Sequence, residues 1–145
     1  MPQPCIVCTR HVPRSASADA ARALGNIALD AESAHTITAA GAIPLLVQLL
    51  GPGSPADAHS AASGALMSLA LGCAEAVAAI AAAGAISPLV QLLRPGSPLD
   101  IQKTVAGALM ALGFYHPENR AAIDAAAARE NVVAKMREVG VRWDF

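Results

Sequence analysis

GAIPLLVQLLGPGSP at Gly41–Pro55 returns as GAISPLVQLLRPGSP at Gly84–Pro98, identical at 12 of 15 positions and displaced by 43 residues. A fixed period of this length marks stacked copies of one supersecondary unit, and tandem helical arrays occupy this range. Within each copy Ile43, Leu46, Val47 and Leu50, or Ile86, Leu89, Val90 and Leu93, fall at i, i+3, i+4 and i+7. That spacing gives one buried helical face. Both stretches stop at a Pro-Gly-Ser-Pro sequence, where proline cannot continue the hydrogen-bond ladder and glycine supplies the turn.

A second motif keeps the same phase. Ala23–Leu29 reads ALGNIAL, Ala65–Leu71 reads ALMSLAL and Ala108–Phe114 reads ALMALGF, at offsets of 42 and 43 residues. Each unit therefore reads as three helices. The first is short and Ala-rich (Glu32–Ala40, Ala74–Ala83, Pro117–Ala127). The second is the amphipathic stretch. The third is long (Ala56–Leu71 and Leu99–Phe114, with an N-terminal counterpart at Ser17–Leu29). Asp57 and Asp100 lie near the starts of the third helices, where a carboxylate complements the helix dipole. Gly64 and Gly107 sit mid-helix at matching places, at about 1 kcal/mol each relative to Ala, which predicts close approach of a neighbouring backbone.

Composition agrees with an all-α chain. Of 145 residues about a quarter are Ala, aromatics are 3%, and charged residues are 14% with a formal net charge of −1. Ala is the strongest helix former and fills little volume, so helices built from it pack closely. The ten Lys and Arg are scattered, without the basic face of a nucleic-acid binder or a polybasic run for an anionic membrane. Ala65–Leu93 carries Glu75 as its single charge, yet Gly72, Gly84 and Pro88 interrupt it where the repeat places helix ends. No membrane insertion is expected. The N-terminus lacks the apolar core of a secretory signal, and the expected compartment is cytoplasm or nucleus.

The order of a short helix ending in Gly-Ala-Ile-Pro, then Leu-Leu-Val-Gln-Leu-Leu, a Pro/Ser/Gly turn, and a long helix with Ala-Leu-x-Asn-Ile-Ala resembles the armadillo repeat. The resemblance covers about residues 17–138. It implies a short right-handed α-solenoid with a partial repeat at 17–30, full repeats at about 31–72 and 73–115, and C-terminal capping helices at 116–138. Residues 1–16 then form a disordered leader and 139–145 a tail. In the last unit Arg129, Glu130, Lys135 and Arg137 stand where earlier copies are apolar or neutral, as a solvent-facing solenoid end requires. Ala128–Glu138 reads as the cap, with Trp143 and Phe145 folding back over it. At the other end Leu24 and Ile27 lack the neighbours that preceding helices would supply: either Met1–Arg14 covers that face, the chain self-associates through this uncapped helix, or the sequence is a fragment of a longer array.

In that family the third helices line a concave groove, where an Asn in the Ala-Leu-x-Asn motif clamps the backbone of an extended peptide. An amide suits this because it offers both a donor and an acceptor. Asn26 holds the position here, while its equivalents are Ser68 and Ala111. Four residues earlier, nuclear-import receptors carry Trp; here Arg22, Gly64 and Gly107 stand there. Both ladders are broken, which points away from nuclear-localisation-signal binding. Helical phase adds Asp19, Asp57, Ser60, Asp100, Lys103 and Thr104 as groove-lining polar positions.

The resemblance implies a non-catalytic module that binds a protein or peptide partner on this face. A nuclear-transport-type adaptor is the first alternative, supported only by Asp19, Asp57 and Asp100. The substrate-binding fragment of a larger protein, such as a ubiquitin ligase, is the second. The histidines His11, His35, His59 and His116 share no motif and read as exposed helix-end residues, and no nucleophile, phosphate-loop or metalloprotease signature is present. Cys5-x-x-Cys8 with His11 supplies three ligands where structural zinc takes four, and Cys73 reads as buried inside a repeat helix. No metal or other cofactor is expected.

Overall fold

Gly41 and Gly84 both adopt left-handed backbone, with φ of 80° and 79°, so the repeated Gly-Ala-Ile begins each time with the same tight turn. The computed structural model describes residues 14–114 and 116–142, and their regular structure is entirely helical. In chain order the helices are α1 (Arg14–Ile27), α2 (Ala31–Ala39), α3 (Ala42–Leu49), α4 (Ala56–Gly72), α5 (Ala74–Ala82), α6 (Ile86–Gln91), α7 (Leu99–Gly113), α8 (Pro117–Arg129) and α9 (Val133–Glu138). The helical triplets α2–α4 and α5–α7 form the two full units. The leader expected at residues 1–16 and the contacts expected of Trp143 and Phe145 lie outside the described residues, except that α1 already runs from Arg14. None of the described helices is long and apolar enough to cross a membrane.

The long helices carry the architecture. α4 packs along α1 on one side and α7 on the other. It buries Ala58, Ala61, Ala62, Ala65, Leu66, Leu69 and Ala70 in doing so. Small side chains allow the axes to approach, and close packing of the few large ones supplies most of the hydrophobic stabilisation. The backbone approaches that sequence placed at Gly64 and Gly107 occur elsewhere. A Cβ on Gly25 would stand 3.1 Å from the Cα of Ala65, and one on Gly72 would stand 2.9 Å from both the Ala28 carbonyl and the Ala34 methyl. At Gly64 the nearest neighbour is a Thr104 methyl at 3.8 Å, and at Gly107 it is the Met67 sulfur at 2.6 Å. Those two glycines open the surface between the long helices; they do not bring backbones together.

Turn chemistry differs between copies that look alike. His59 is half-buried, not an exposed helix-end histidine, and its Nε2 donates to the Gly51 carbonyl at 2.8 Å. Its equivalent Gln102 is buried and donates to the Ser97 carbonyl at 2.8 Å. Each ties the turn to the start of its long helix. Ahead of α2, Asp30 caps the helix by accepting from the Ser33 amide at 2.8 Å. This bond holds its carboxyl below the usual carboxylate range. A depressed folded-state pKa means that this contribution is present at neutral pH and fades as pH falls through the lowered value.

The C-terminal unit departs most from the repeat. α8 extends through Ala128 and Arg129, so the cap begins later than the sequence suggested. The turn residue is then Asn131, with φ of 57°, in the place of Gly41 and Gly84. Its amide bonds the Ala128 carbonyl and the next amide bonds Ala127, repeating the pattern of Gly84 to Ala81 and Ala85 to Ile80. Asn tolerates left-handed backbone better than other residues with a Cβ. Asn119 and Arg120 donate to the carbonyls of Leu112 (2.9 Å), Gly113 (2.7 Å) and Phe114 (2.5 Å), satisfying the orphan acceptors at the end of α7. Arg94 pairs with Glu130 across the last interface and lowers the pKa of that carboxyl.

Ser63 is fully buried in α4, and its hydroxyl has no hydrogen-bond partner among the described residues. A buried unpaired hydroxyl carries a desolvation penalty. Ser63→Ala is therefore expected to stabilise the chain by about 1 kcal/mol, raising the melting temperature by about 2–4 °C. Differential scanning calorimetry checks this; a lower melting temperature would show the hydroxyl bonded in solution.

Candidate functional site

The stacked long helices present one continuous face. From α1 come Arg22 and Asn26, from α4 Ser60 and Ser68, and from α7 Thr104. Together with Gly25, Ala61, Gly64, Ala65 and Met67 they line a shallow depression of about 260 Å³. Five of the nine positions proposed from sequence thus meet in one place. The floor is built of Gly and Ala, so an approaching backbone could reach the polar groups around it.

The roles of the five are not equal. Asn26 is exposed, with amide donors and acceptor available to a ligand. Arg22 is exposed and bonded to Asp19 at 2.9 Å, one helical turn away. That pair places Asp19 at the rim and offsets its charge. Ser60 is half-buried and Ser68 is nearly closed over. The Thr104 hydroxyl donates to the Asp100 carbonyl at 2.9 Å, which leaves the methyl as the group facing Gly64. Asp57, Asp100 and Lys103 are exposed and outside the depression. Asp57 and Asp100 sit in the first turns of α4 and α7, where they complement the helix dipole.

A second, larger depression of about 650 Å³ was not foreseen from sequence. It lies between the C-terminal halves of α4 and α7, where Met67, Leu71, Val77, Met110, Phe114 and His116 line it. Leu71 and Phe114 are 72% and 42% exposed, far more than apolar side chains in the core of this fold. Met67 borders both depressions. The face is therefore polar toward α1 and apolar toward the end of α7. The available signal was the paired Met67/Met110 and Leu71/Phe114 of the second motif, which periodicity alone assigns to the core.

Cys73 also differs from expectation. It is not buried inside a helix but forms the one-residue joint between α4 and α5, with extended backbone (φ −156°, ψ 127°) and partial exposure. The joint brings it beside His35 and Glu75.

Two units of three helices, joined through their long third helices, define an α-solenoid repeat protein. The fold is that of armadillo-repeat proteins: residues 73–109 match the Armadillo/beta-catenin-like repeat family, and the solved structures the chain resembles include designed armadillo repeat proteins. The chain is 30% identical to computationally designed armadillo repeat proteins for modular peptide recognition, over 76% of this chain and 46% of that one, with a TM-score of 0.68. A designed armadillo repeat protein in complex with the peptide (KR)4 is 27% identical, over 86% of this chain and 46% of that one, with a TM-score of 0.64. An engineered protein from a structural genomics programme is 28% identical, over 89% and 56%, with a TM-score of 0.77. The chain thus spans about half the length of these structures. Among curated proteins no significant match was found.

Proposed function

We propose that the chain is a non-catalytic peptide-binding module whose working face is formed by α1, α4 and α7. The observation that carries this is the meeting of Arg22, Asn26 and Ser60 over a floor of Gly and Ala, continuous through Met67 with an exposed apolar depression. An extended segment laid across the face would bond through its backbone at Asn26 and place an apolar side chain against Met67, Met110 and Phe114. Methionines suit this second role because their flexible, polarizable side chains adapt to different shapes. The structural neighbours designed for peptide recognition and bound to (KR)4 support the same reading.

Charge argues against a strongly basic ligand. Asp19 is paired with Arg22, Lys103 is exposed nearby, and Asp57 and Asp100 lie outside the polar depression. A nuclear-transport-type role is correspondingly less well supported than recognition of a near-neutral segment with one large apolar side chain.

The test is selection of peptides from a displayed random library on the intact chain, followed by fluorescence anisotropy. Removing the Asn26 amide and reversing the Arg22 charge (N26A with R22E) takes away at least one hydrogen bond worth about 1–1.5 kcal/mol. Affinity for selected peptides should fall about tenfold or more, with circular dichroism unchanged. Glu118→Lys, at an exposed position of α8, should leave it unaltered. Undiminished affinity in the double variant would place binding on another face.

A further inference from the structure

His35, Cys73 and Glu75 offer an imidazole nitrogen, a thiol sulfur and a carboxylate oxygen that all lie within 4.8 Å of one another. His35 stands in the middle of α2, Cys73 is the joint ahead of α5, and Glu75 is in the first turn of α5. In the present arrangement His35 Nδ1 and a Glu75 oxygen are 2.8 Å apart. We propose that these three side chains form a zinc(II) site clamping the first helices of adjacent repeats together.

The donor set selects the metal class. Zinc binds thiolate sulfur at about 2.3 Å, imidazole nitrogen at about 2.0–2.1 Å and carboxylate oxygen at about 2.0–2.2 Å, in tetrahedral geometry. Tetrahedral bonds of that length separate ligand atoms by about 3.3–3.8 Å. The pair His35–Glu75 has to open by roughly half an ångström, and Cys73 has to close by at most about one, both within the reach of side-chain rotation. Magnesium and calcium prefer all-oxygen sites and are not accommodated by this set. On binding, the Cys73 thiol gives its proton to solvent and the His35 nitrogen coordinates in its neutral form. Three protein ligands leave a fourth position to water or to a side chain of a partner.

The backbone holds the site in place. Gly72 is seated against the Ala28 carbonyl and the Ala34 methyl so closely that a Cβ there would meet each at 2.9 Å. Ala34 is the immediate neighbour of His35. The residue carrying the sulfur is thus fixed against the helix carrying the imidazole, and two of the three ligands are positioned by packing before any metal arrives. His35 and Glu75 are more than half exposed, so the metal has an open path of entry.

The full chain, dialysed against chelator and kept reduced, is titrated calorimetrically with Zn²⁺, with Co²⁺ as spectroscopic probe and Mg²⁺ as control. The background variant is C5S with C8S, which removes the other thiols. One zinc should bind per chain in that background, Co²⁺ should give a thiolate charge-transfer band, and Mg²⁺ should do nothing. Zinc at about 100 times its Kd should raise the melting temperature by about 5 °C or more. Cys73→Ser and His35→Ala should each weaken binding at least about tenfold, since even outer-shell changes cost that much, while the metal-free circular dichroism stays the same. Absence of binding in the C5S, C8S background would overturn the proposal, as would zinc affinity unmoved by Cys73→Ser.

Discussion

Leu66→Ala and Leu109→Ala are expected to destabilise the chain by about 3–4 kcal/mol each, whereas Leu24→Ala is expected to cost about 1 kcal/mol. The three leucines occupy one position of the second motif. Leu66 and Leu109 are fully buried, and both lie among the largest enclosed side chains of the core. Truncating either removes transfer energy and leaves a cavity that neighbouring helices cannot fill without shifting. Leu24 is only half-buried, and among the described residues no helix is stacked on the outer side of α1. Ile27 and Leu45, both more than half exposed, belong to the same open end. In a domain whose total stability is about 5–15 kcal/mol, the central losses are large. Guanidinium denaturation distinguishes them through midpoints at constant slope. A Leu24 loss equal to that of Leu66 would show that the open end of α1 is covered in solution.

The same comparison explains why the fold was legible. Two copies of a 15-residue stretch and three of a second motif, in phase, leave little freedom in helix order, and the amphipathic spacing sets which face is buried. The misreadings fall where the copies stop agreeing. Asn131 takes over the left-handed turn from Gly41 and Gly84 at a shifted spacing, so α8 continues past the expected end. Cys73 is a joint of one residue inside a run of Ala and Leu. Before α2, in contrast, Asp30 marks the helix start with a capping bond. Gly72 marks a helix end, but the small apolar residues around Cys73 read as a buried setting, and the one-residue break is what exposes the thiol.

The groove was only partly legible for a related reason. Helical phase says which residues point toward one side of a long helix, but not where along it they meet neighbours. Asp57 and Asp100 have the right phase and lie too near their helix starts. Thr104 has the right phase and position, yet its hydroxyl is bonded to its own helix. The apolar depression draws Met67, Met110, Phe114 and His116 from elements nearly 50 residues apart. Its residue types are those of a core, and only the accessibility of Leu71 and Phe114 separates them from one.

Gly72→Ala and Gly64→Ala are expected to move stability in opposite directions, although both replace a helical glycine with the best helix former. On propensity alone each would gain up to about 1 kcal/mol. At Gly64 the added methyl meets only the Thr104 methyl, at 3.8 Å, an ordinary van der Waals contact, so the gain should be realised. At Gly72 it meets a backbone carbonyl and a buried methyl at 2.9 Å. Neither can rotate away, so the connection between α1 and α2 or the end of α4 has to shift. Overpacking of this kind costs about 1–3 kcal/mol, which outweighs propensity at a terminal helical position. Thermal unfolding should separate the two variants by about 4 °C or more. The Gly72 variant should also bind zinc more weakly, because the shift carries Cys73 away from His35. Stabilisation by both substitutions would mean that the joint between the repeats is looser than its packing indicates, and that the proposed zinc ligands are not held together in advance of the metal.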